Sequence, residues 1–196
     1  FRWSTGSYLE CQDFWRISGI ERDVFLYSQP KASVQDFRIV STLDDSYRNG
    51  IFRLDMELKN HRTNTAGLSI GYELLDNNGK VVANGEETVD VLAGKEGIVS
   101  FSKELTEVKT WTSEAPNLYK LLMTVKENGK VTEVIPYNVG FRRIEIKEID
   151  QKGTNGKNYH VLFINGQPLK LKGVNIHEHN PLTGHYVDEA LMRKDL

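Results

Sequence analysis

The chain has 196 residues, 39% of them hydrophobic, 27% charged and 10% aromatic, and its 25 basic and 27 acidic side chains leave a formal net charge of −2. This composition is that of an ordinary globular protein, neither fibrous nor disordered, and the length supports one full domain with flanking pieces around a buried core. A near-neutral balance, with a sequence pI near 6.3 and no Lys/Arg tract, provides no electrostatic footprint for nucleic acid or for an anionic membrane surface. No apolar run approaches the roughly 18 residues of a membrane span, and the single cysteine, Cys11, has no internal disulfide partner.

Taken in chain order, residues 1–30 are aromatic-rich (Phe1, Trp3, Tyr8, Phe14, Trp15) and read as the edge of a preceding domain. From about Ser33 to Phe141 the pattern is all-β. Phe52, Leu54, Met56 and Leu58 alternate with Arg53, Asp55, Glu57 and Lys59, the period-two pattern of a half-buried strand. Leu68, Ile70, Tyr72 and Leu74 repeat it, and Asp76-Asn77-Asn78-Gly79 predicts a tight turn into Val81-Val82-Ala83. Further strands are predicted at Thr88 to Leu92 and Ile98 to Leu105, separated by the loop Ala93 to Gly97. Tyr119, Leu121, Met123 and Val125 alternate again, and Glu127-Asn128-Gly129-Lys130 turns the backbone into Val131 to Ile135. Seven short strands at this spacing favour two antiparallel sheets packed face to face, an immunoglobulin-like β-sandwich, although the Cys…Trp…Cys signature of antibody domains is absent.

After the sandwich a hairpin is predicted, Tyr159 to Ile164 returning through Asn165-Gly166 to Leu169 to Lys172, followed by a polar, His-bearing loop and a helix opening at Asp188. A strand, a functional loop and a helix in that order fit the opening of a βα-repeat barrel. Good helix formers still run at Leu196 with no capping glycine, so the expectation is an internal segment of a longer polypeptide.

Two clusters are chemically dense. Three of the five histidines, His177, His179 and His185, lie within nine positions. In an extended backbone His177 and His179 point the same way and Glu178 points oppositely. A hydrogen-bonding or sugar-contacting pair, a metal site completed by His185 or Glu178, and a loop whose histidines satisfy local backbone groups all fit that spacing. The second cluster runs from Gly6 to Val24, where Glu10, Gln12 and Asp13 interleave with Tyr8, Phe14 and Trp15. That mixture suits a carbohydrate site, with rings for the C–H face and carboxylates or amides for hydroxyls, and it suits a domain-interface strand equally. Cys11 has no base close in sequence to activate it. The stretch Trp111 to Tyr119 reads as a loop closing onto a strand.

These residues resemble the β-galactosidases of glycoside hydrolase family 2. Arg2-Trp3-Ser4, Gly6-Ser7-Tyr8-Leu9-Glu10, Gln12-Asp13, Trp15-Arg16, Ser18-Gly19-Ile20 and Arg22-Asp23-Val24 match the end of the family's sugar-binding jelly roll. Trp111 and Pro116-Asn117-Leu118-Tyr119 match its immunoglobulin-like domain. Gly140-Phe141-Arg142, Asn165-Gly166, Gly173-Val174-Asn175, His177-Glu178-His179 and Pro181-Leu182 match the entry to its barrel. The resemblance implies three parts: residues 1–31 closing the jelly roll, 32–142 forming the sandwich, and 143–196 beginning a catalytic (β/α)8 barrel.

For the site, it implies that Asp13 contacts the galactose and a sodium ion, and that His177 contacts the substrate near the transition state. Ile176 stands where relatives carry a basic residue, Asn180 where they often carry His, and Cys11 where they carry an acid. β-Glucuronidases share the Gly-Val-Asn-x-His element but differ over residues 18–24. Retaining hydrolysis needs two carboxylates roughly 5 to 5.5 Å apart, and the resemblance puts both glutamates beyond Leu196. Magnesium and sodium are thereby implied for the parent enzyme, with a β-galactoside as substrate and the other domains of the same polypeptide as partners. The segment alone is expected to be inactive; a stand-alone carbohydrate-binding module is the alternative.

Overall fold

A computed structural model of the protein describes Gly19, Ile20 and residues 22–195. Two compact units emerge among them: residues 29–170, and a second formed by the described residues up to Ser28 together with those from Leu171 onward.

The larger unit is all-β and antiparallel. Strands β1 (Ala32–Leu43), β2 (Gly50–Asn60) and β5 (Glu96–Leu105) form one sheet in the order β1-β2-β5, and β3 (Ala66–Leu75), β4 (Val81–Val91), β6 (Tyr119–Glu127) and β7 (Lys130–Val139) form the other in the order β4-β3-β6-β7. Alternation decides which side chains meet between the sheets. Phe52, Leu54, Met56 and Leu58 of β2 are fully buried, as are Ile70 and Leu74 of β3 and Leu121 of β6. The intervening Arg53 and Glu57 remain exposed. Rings fill the centre: Phe52 and Tyr72 lie 5.4 Å apart and Tyr72 and Phe101 4.9 Å, distances at which aromatic pairs attract beyond their area burial. The sandwich expected from the strand pattern is the observed fold.

Seven strands form the sandwich, but not the seven read from the sequence. Val81 to Ala83 and Thr88 to Val91 belong to the single strand β4, which runs straight through Asn84-Gly85 and ends one residue before the predicted Leu92. A Cβ on Gly85 would lie 2.8 Å from Tyr72 Cε1 and 3.0 Å from Phe101 Cδ1. The glycine serves a close ring approach rather than a turn. The strand that restores the count is β1, whose alternation is broken by a register shift between Val34 and Asp36. That irregularity hides it from a period-two reading.

Asn60, fully buried, donates through Nδ2 to the carbonyls of Asn64 (2.8 Å) and Val91 (2.9 Å) and accepts from the Arg62 N–H at 2.9 Å. The β1–β2 loop is organised by Asp44. Its carboxylate accepts from Ser46 Oγ (2.8 Å), Asn49 Nδ2 (2.9 Å) and the Asn49 N–H (3.2 Å), and these bonds, the Ser46 hydroxyl first, hold its pKa down at about 2.

A ribbon of β8 (Ile144–Lys152), β9 (Asn158–Ile164) and the two-residue β10 (Gln167–Pro168) completes this unit. The return strand expected at Leu169 to Lys172 is absent. The last paired residue is Pro168, opposite Phe163; one further bond, from the Leu169 N–H to the Leu162 carbonyl at 2.7 Å, follows it before the backbone leaves the ribbon.

The ribbon meets the sandwich through a polar joint. Tyr47 donates its hydroxyl to Glu145 Oε2 at 2.8 Å and accepts from Lys147 Nζ. Arg143 bridges Asp45 (2.7 Å) and Glu145 (3.0 Å). The Tyr47 hydroxyl, with Lys147 and Arg143 beside it, holds the Glu145 carboxyl below its usual range. The Trp111 loop closes as expected: Trp111 pairs with Pro116, its N–H reaches the Phe141 carbonyl at 2.8 Å, and the Arg142 guanidinium lies 4.5 Å from its ring centre.

Candidate functional site

Asp13 and Cys11 lie outside the described residues, so the geometry of the Gly6–Val24 cluster begins only at Gly19. The described candidate site is the histidine cluster, in the segment from Leu171 to Val187. Its backbone from Gly173 to His179 belongs to no helix or strand, and Val174 and Ile176 are exposed.

The histidine spacing acts as expected from an extended backbone. The His177 and His179 rings lie on one side, nearly parallel, with centroids 6.2 Å apart and an interplanar angle of 25°. His185 joins them, its ring 5.0 Å from that of His179. A local turn makes this possible. Asn180 and Gly184 exchange N–H···O bonds of 2.8 Å in both directions, Asn180 Oδ1 accepts from the Leu182 N–H at 2.8 Å, and Gly184 adopts a φ of +69°. The turn folds the backbone over so that His185 returns beside His179. Asn180-Pro181 and Gly184 carried the signal for it, since asparagine closes such turns and glycine tolerates positive φ.

Glu178 faces Arg22, its Oε2 3.5 Å from Arg22 Nη2, with both side chains well exposed. An exposed pair of this kind contributes little stability. It does occupy the carboxylate with a cation. Asp188 is also engaged: its Oδ1 accepts from the Leu191 N–H at 2.8 Å, capping the helix α1 (Glu189–Asp195) expected there from composition. Among the described residues, no group of three or more His, Cys, Asp or Glu side chains is arranged to hold a metal ion.

Two arrangements escaped the sequence reading. The Tyr47–Arg143–Glu145–Lys147 joint links residues about 100 positions apart, and no local pattern announces it. Arg22 was visible only as part of a motif, and its pairing with Glu178 needs the fold.

Family models place this geometry in a wider setting. Residues 32–142 match the model described as glycosyl hydrolases family 2, residues 1–30 the sugar binding domain of that family and residues 157–196 its TIM barrel domain. A β-galactosidase of Streptococcus thermophilus is 38% identical over 200 residues, covering 100% of this chain and 17% of the relative. One from Vibrio cholerae serotype O1 is 37% identical over 206 residues, covering 100% of this chain and 18% of the relative. The chain thus spans 17–18% of the length of these curated relatives.

Among solved structures, a β-glucuronidase from Bacteroides uniformis superimposes with a TM-score of 0.78 at 21% identity, over 93% of this chain and 22% of that one. A glycosyl hydrolase family 2 member from Bacteroides cellulosilyticus gives 0.70 at 20% identity, over 85% and 22%. These structural likenesses speak for the fold. No helix among the described residues is long and apolar enough to cross a membrane. With the family model running the length of the observed sandwich, the chain belongs to glycosyl hydrolase family 2.

Proposed function

We propose that this chain is the connecting part of a retaining β-galactosidase that releases terminal β-D-galactose. In this reading residues 1–31 end the sugar-binding domain, 32–142 form a structural spacer and 143–196 open the catalytic barrel. Asp13 and His177 contact the galactoside, Asp13 also meets a sodium ion, and the two catalytic glutamates belong to the remainder of the polypeptide. The observation that supports it best is the 37–38% identity to β-galactosidases running through the entire chain. Both the Gly6–Val24 and the Gly173–Leu182 motifs fall inside that match.

The chemistry of the present residues is consistent with a supporting role. Retention requires one carboxylate as nucleophile and a second as acid/base, held at fixed separation. Glu178 is paired with Arg22 and Asp188 caps α1. His177, exposed beside His179, is an imidazole suited to contact sugar hydroxyls, an interaction that accelerates the reaction only if it strengthens at the transition state. A carboxylate such as Asp13 suits a hard cation, but one donor is not a site. The described residues assemble no magnesium shell.

The test compares the isolated segment with the full-length polypeptide on aryl β-galactosides and aryl β-glucuronides. The full-length protein is expected to cleave the galactoside and the isolated segment neither. His177→Ala in the full-length protein should lower kcat/KM on the order of 10²-fold, the scale of one lost transition-state contact. A preference for the glucuronide, or turnover by the isolated segment, defeats the proposal. Saturable galactoside binding by the isolated segment points instead to a carbohydrate-binding module.

A further inference from the structure

Six Asn-Gly dipeptides occur in the sequence: Asn49-Gly50, Asn78-Gly79, Asn84-Gly85, Asn128-Gly129, Asn155-Gly156 and Asn165-Gly166. In this dipeptide the glycine nitrogen, unhindered by a following side chain, can attack the asparagine side-chain amide. The fold decides which of the six is free to react.

Five are restrained. Asn49 donates through Nδ2 to Asp44 at 2.9 Å and accepts through Oδ1 from the Glu107 N–H at 3.2 Å, and Gly50 is buried in β2. The Gly79 N–H is bonded to the Asp76 carbonyl at 3.0 Å, and the Gly156 N–H to the Gly153 carbonyl at 3.0 Å. Asn84-Gly85 lies within the β3–β4 ladder with Gly85 opposite Tyr72. Asn165 is tied through both side-chain atoms, accepting from the Arg143 N–H at 2.9 Å and donating to the Trp111 carbonyl at 3.0 Å.

Asn128-Gly129 differs. Glu127 pairs with Lys130, so these two residues alone form the β6–β7 loop, with φ values of +51° and +75° that define a type I′ turn. Both residues are exposed, and nothing lies within 4 Å of the place where a Cβ on Gly129 would sit. Among the described residues the Gly129 N–H has no backbone partner, and the Asn128 side chain makes no hydrogen bond.

The turn type matters as much as the freedom. A two-residue hairpin accepts either a I′ or a II′ turn at one register, and the II′ form has a positive φ and a ψ of about −120° at its first residue. Flipping the single peptide between Asn128 and Gly129 converts one into the other while the strands stay paired. Glycine tolerates the required change of φ. The flip turns the Gly129 nitrogen toward the side-chain amide carbon of Asn128.

We infer that Asn128 is the spontaneous deamidation site of the folded protein. Gly129 N loses its proton to solvent base and bonds to Asn128 Cγ. The tetrahedral adduct expels the side-chain nitrogen, reprotonated, as ammonia, leaving a five-membered succinimide. Water then opens the ring at the Cγ–N bond to give aspartate, or at the bond between the backbone carbonyl carbon and that nitrogen to give isoaspartate, whose backbone runs through Cβ and Cγ. Either product adds one negative charge, and the isoaspartate lengthens a loop built for two residues.

The test is timed incubation of the folded protein at mildly alkaline pH, followed by proteolysis and mass spectrometry, with a parallel sample in urea. In the folded protein the Asn128 peptide should deamidate first, with the other five about tenfold behind, the factor imposed by one hydrogen bond that must break before attack. In urea the six should react at comparable rates. Asn128→Gln should remove the earliest acidic species on isoelectric focusing. Leading reaction at Asn78 or Asn155 in the folded protein, the same ranking in both samples, or survival of that acidic species in Asn128→Gln would each overturn the assignment.

Discussion

Asn165 holds the ribbon to the sandwich, and its replacement tests the joint quantitatively. Its own N–H donates to the Arg143 carbonyl at 2.9 Å, its Oδ1 accepts from the Arg143 N–H at 2.9 Å, and its Nδ2 donates to the Trp111 carbonyl at 3.0 Å. It does this at a φ of +49°, a left-handed conformation that asparagine tolerates and alanine does not. Asn165→Ala removes the two side-chain bonds, worth about 1 kcal/mol each. It adds about 1 kcal/mol of backbone strain. The expected destabilisation is therefore about 3 kcal/mol, which lowers the urea midpoint by roughly 1 to 2 M for a domain of this size. Asn165→Gly separates the two contributions, since glycine restores the backbone freedom without the bonds, and it should recover about 1 kcal/mol. Urea unfolding of the three proteins, with hydrogen exchange at the Arg143 amide as a local probe, measures both. An Asn165→Ala midpoint indistinguishable from the parent would refute the joint, and equal losses for Ala and Gly would refute the conformational part.

Other substitutions probe separate features. Gly85→Val should lower stability by about 1 to 3 kcal/mol through overpacking against Tyr72 and Phe101, seen as a reduced Tm; an unchanged Tm would mean that the rings give way freely. Phe52→Ala, at the fully buried centre of the sandwich, should lose about 3 to 5 kcal/mol by chemical denaturation. Asp44 carries a pH dependence: its folded-state pKa of about 2 lies below the ordinary 3.8, so its contribution is present above 3.8 and lost as pH falls from there through about 2. Asp44→Asn should flatten the stability-against-pH curve in that window, and a curve of unchanged slope would count against the Asp44 hydrogen bonds. Asn60→Leu fits the volume but leaves the Val91 carbonyl buried without its donor; a loss of about 1 to 3 kcal/mol in thermal unfolding is expected, and a neutral effect would contradict that pairing.

The sequence by itself determined the strands whose buried faces keep a strict period of two. Phe52 to Leu58, Leu68 to Leu74 and Tyr119 to Val125 had only one way to hide their apolar sets, so two sheets with a shared core followed. It also marked the His177–His179 pair as facing one way and Asp188 as the start of a helix, because both depend on neighbours within a few residues. Tertiary structure decided what depends on distant partners. Asn84-Gly85 looks like a turn until Tyr72 and Phe101 arrive above it, and the β1 strand is disguised by its own bulge. The Tyr47–Glu145 hydrogen bond and the restraint of Asn165 by Arg143 and Trp111 are likewise invisible to local pattern. Each is a contact whose energy exists only once folding has brought its two partners together, and no periodicity encodes that approach.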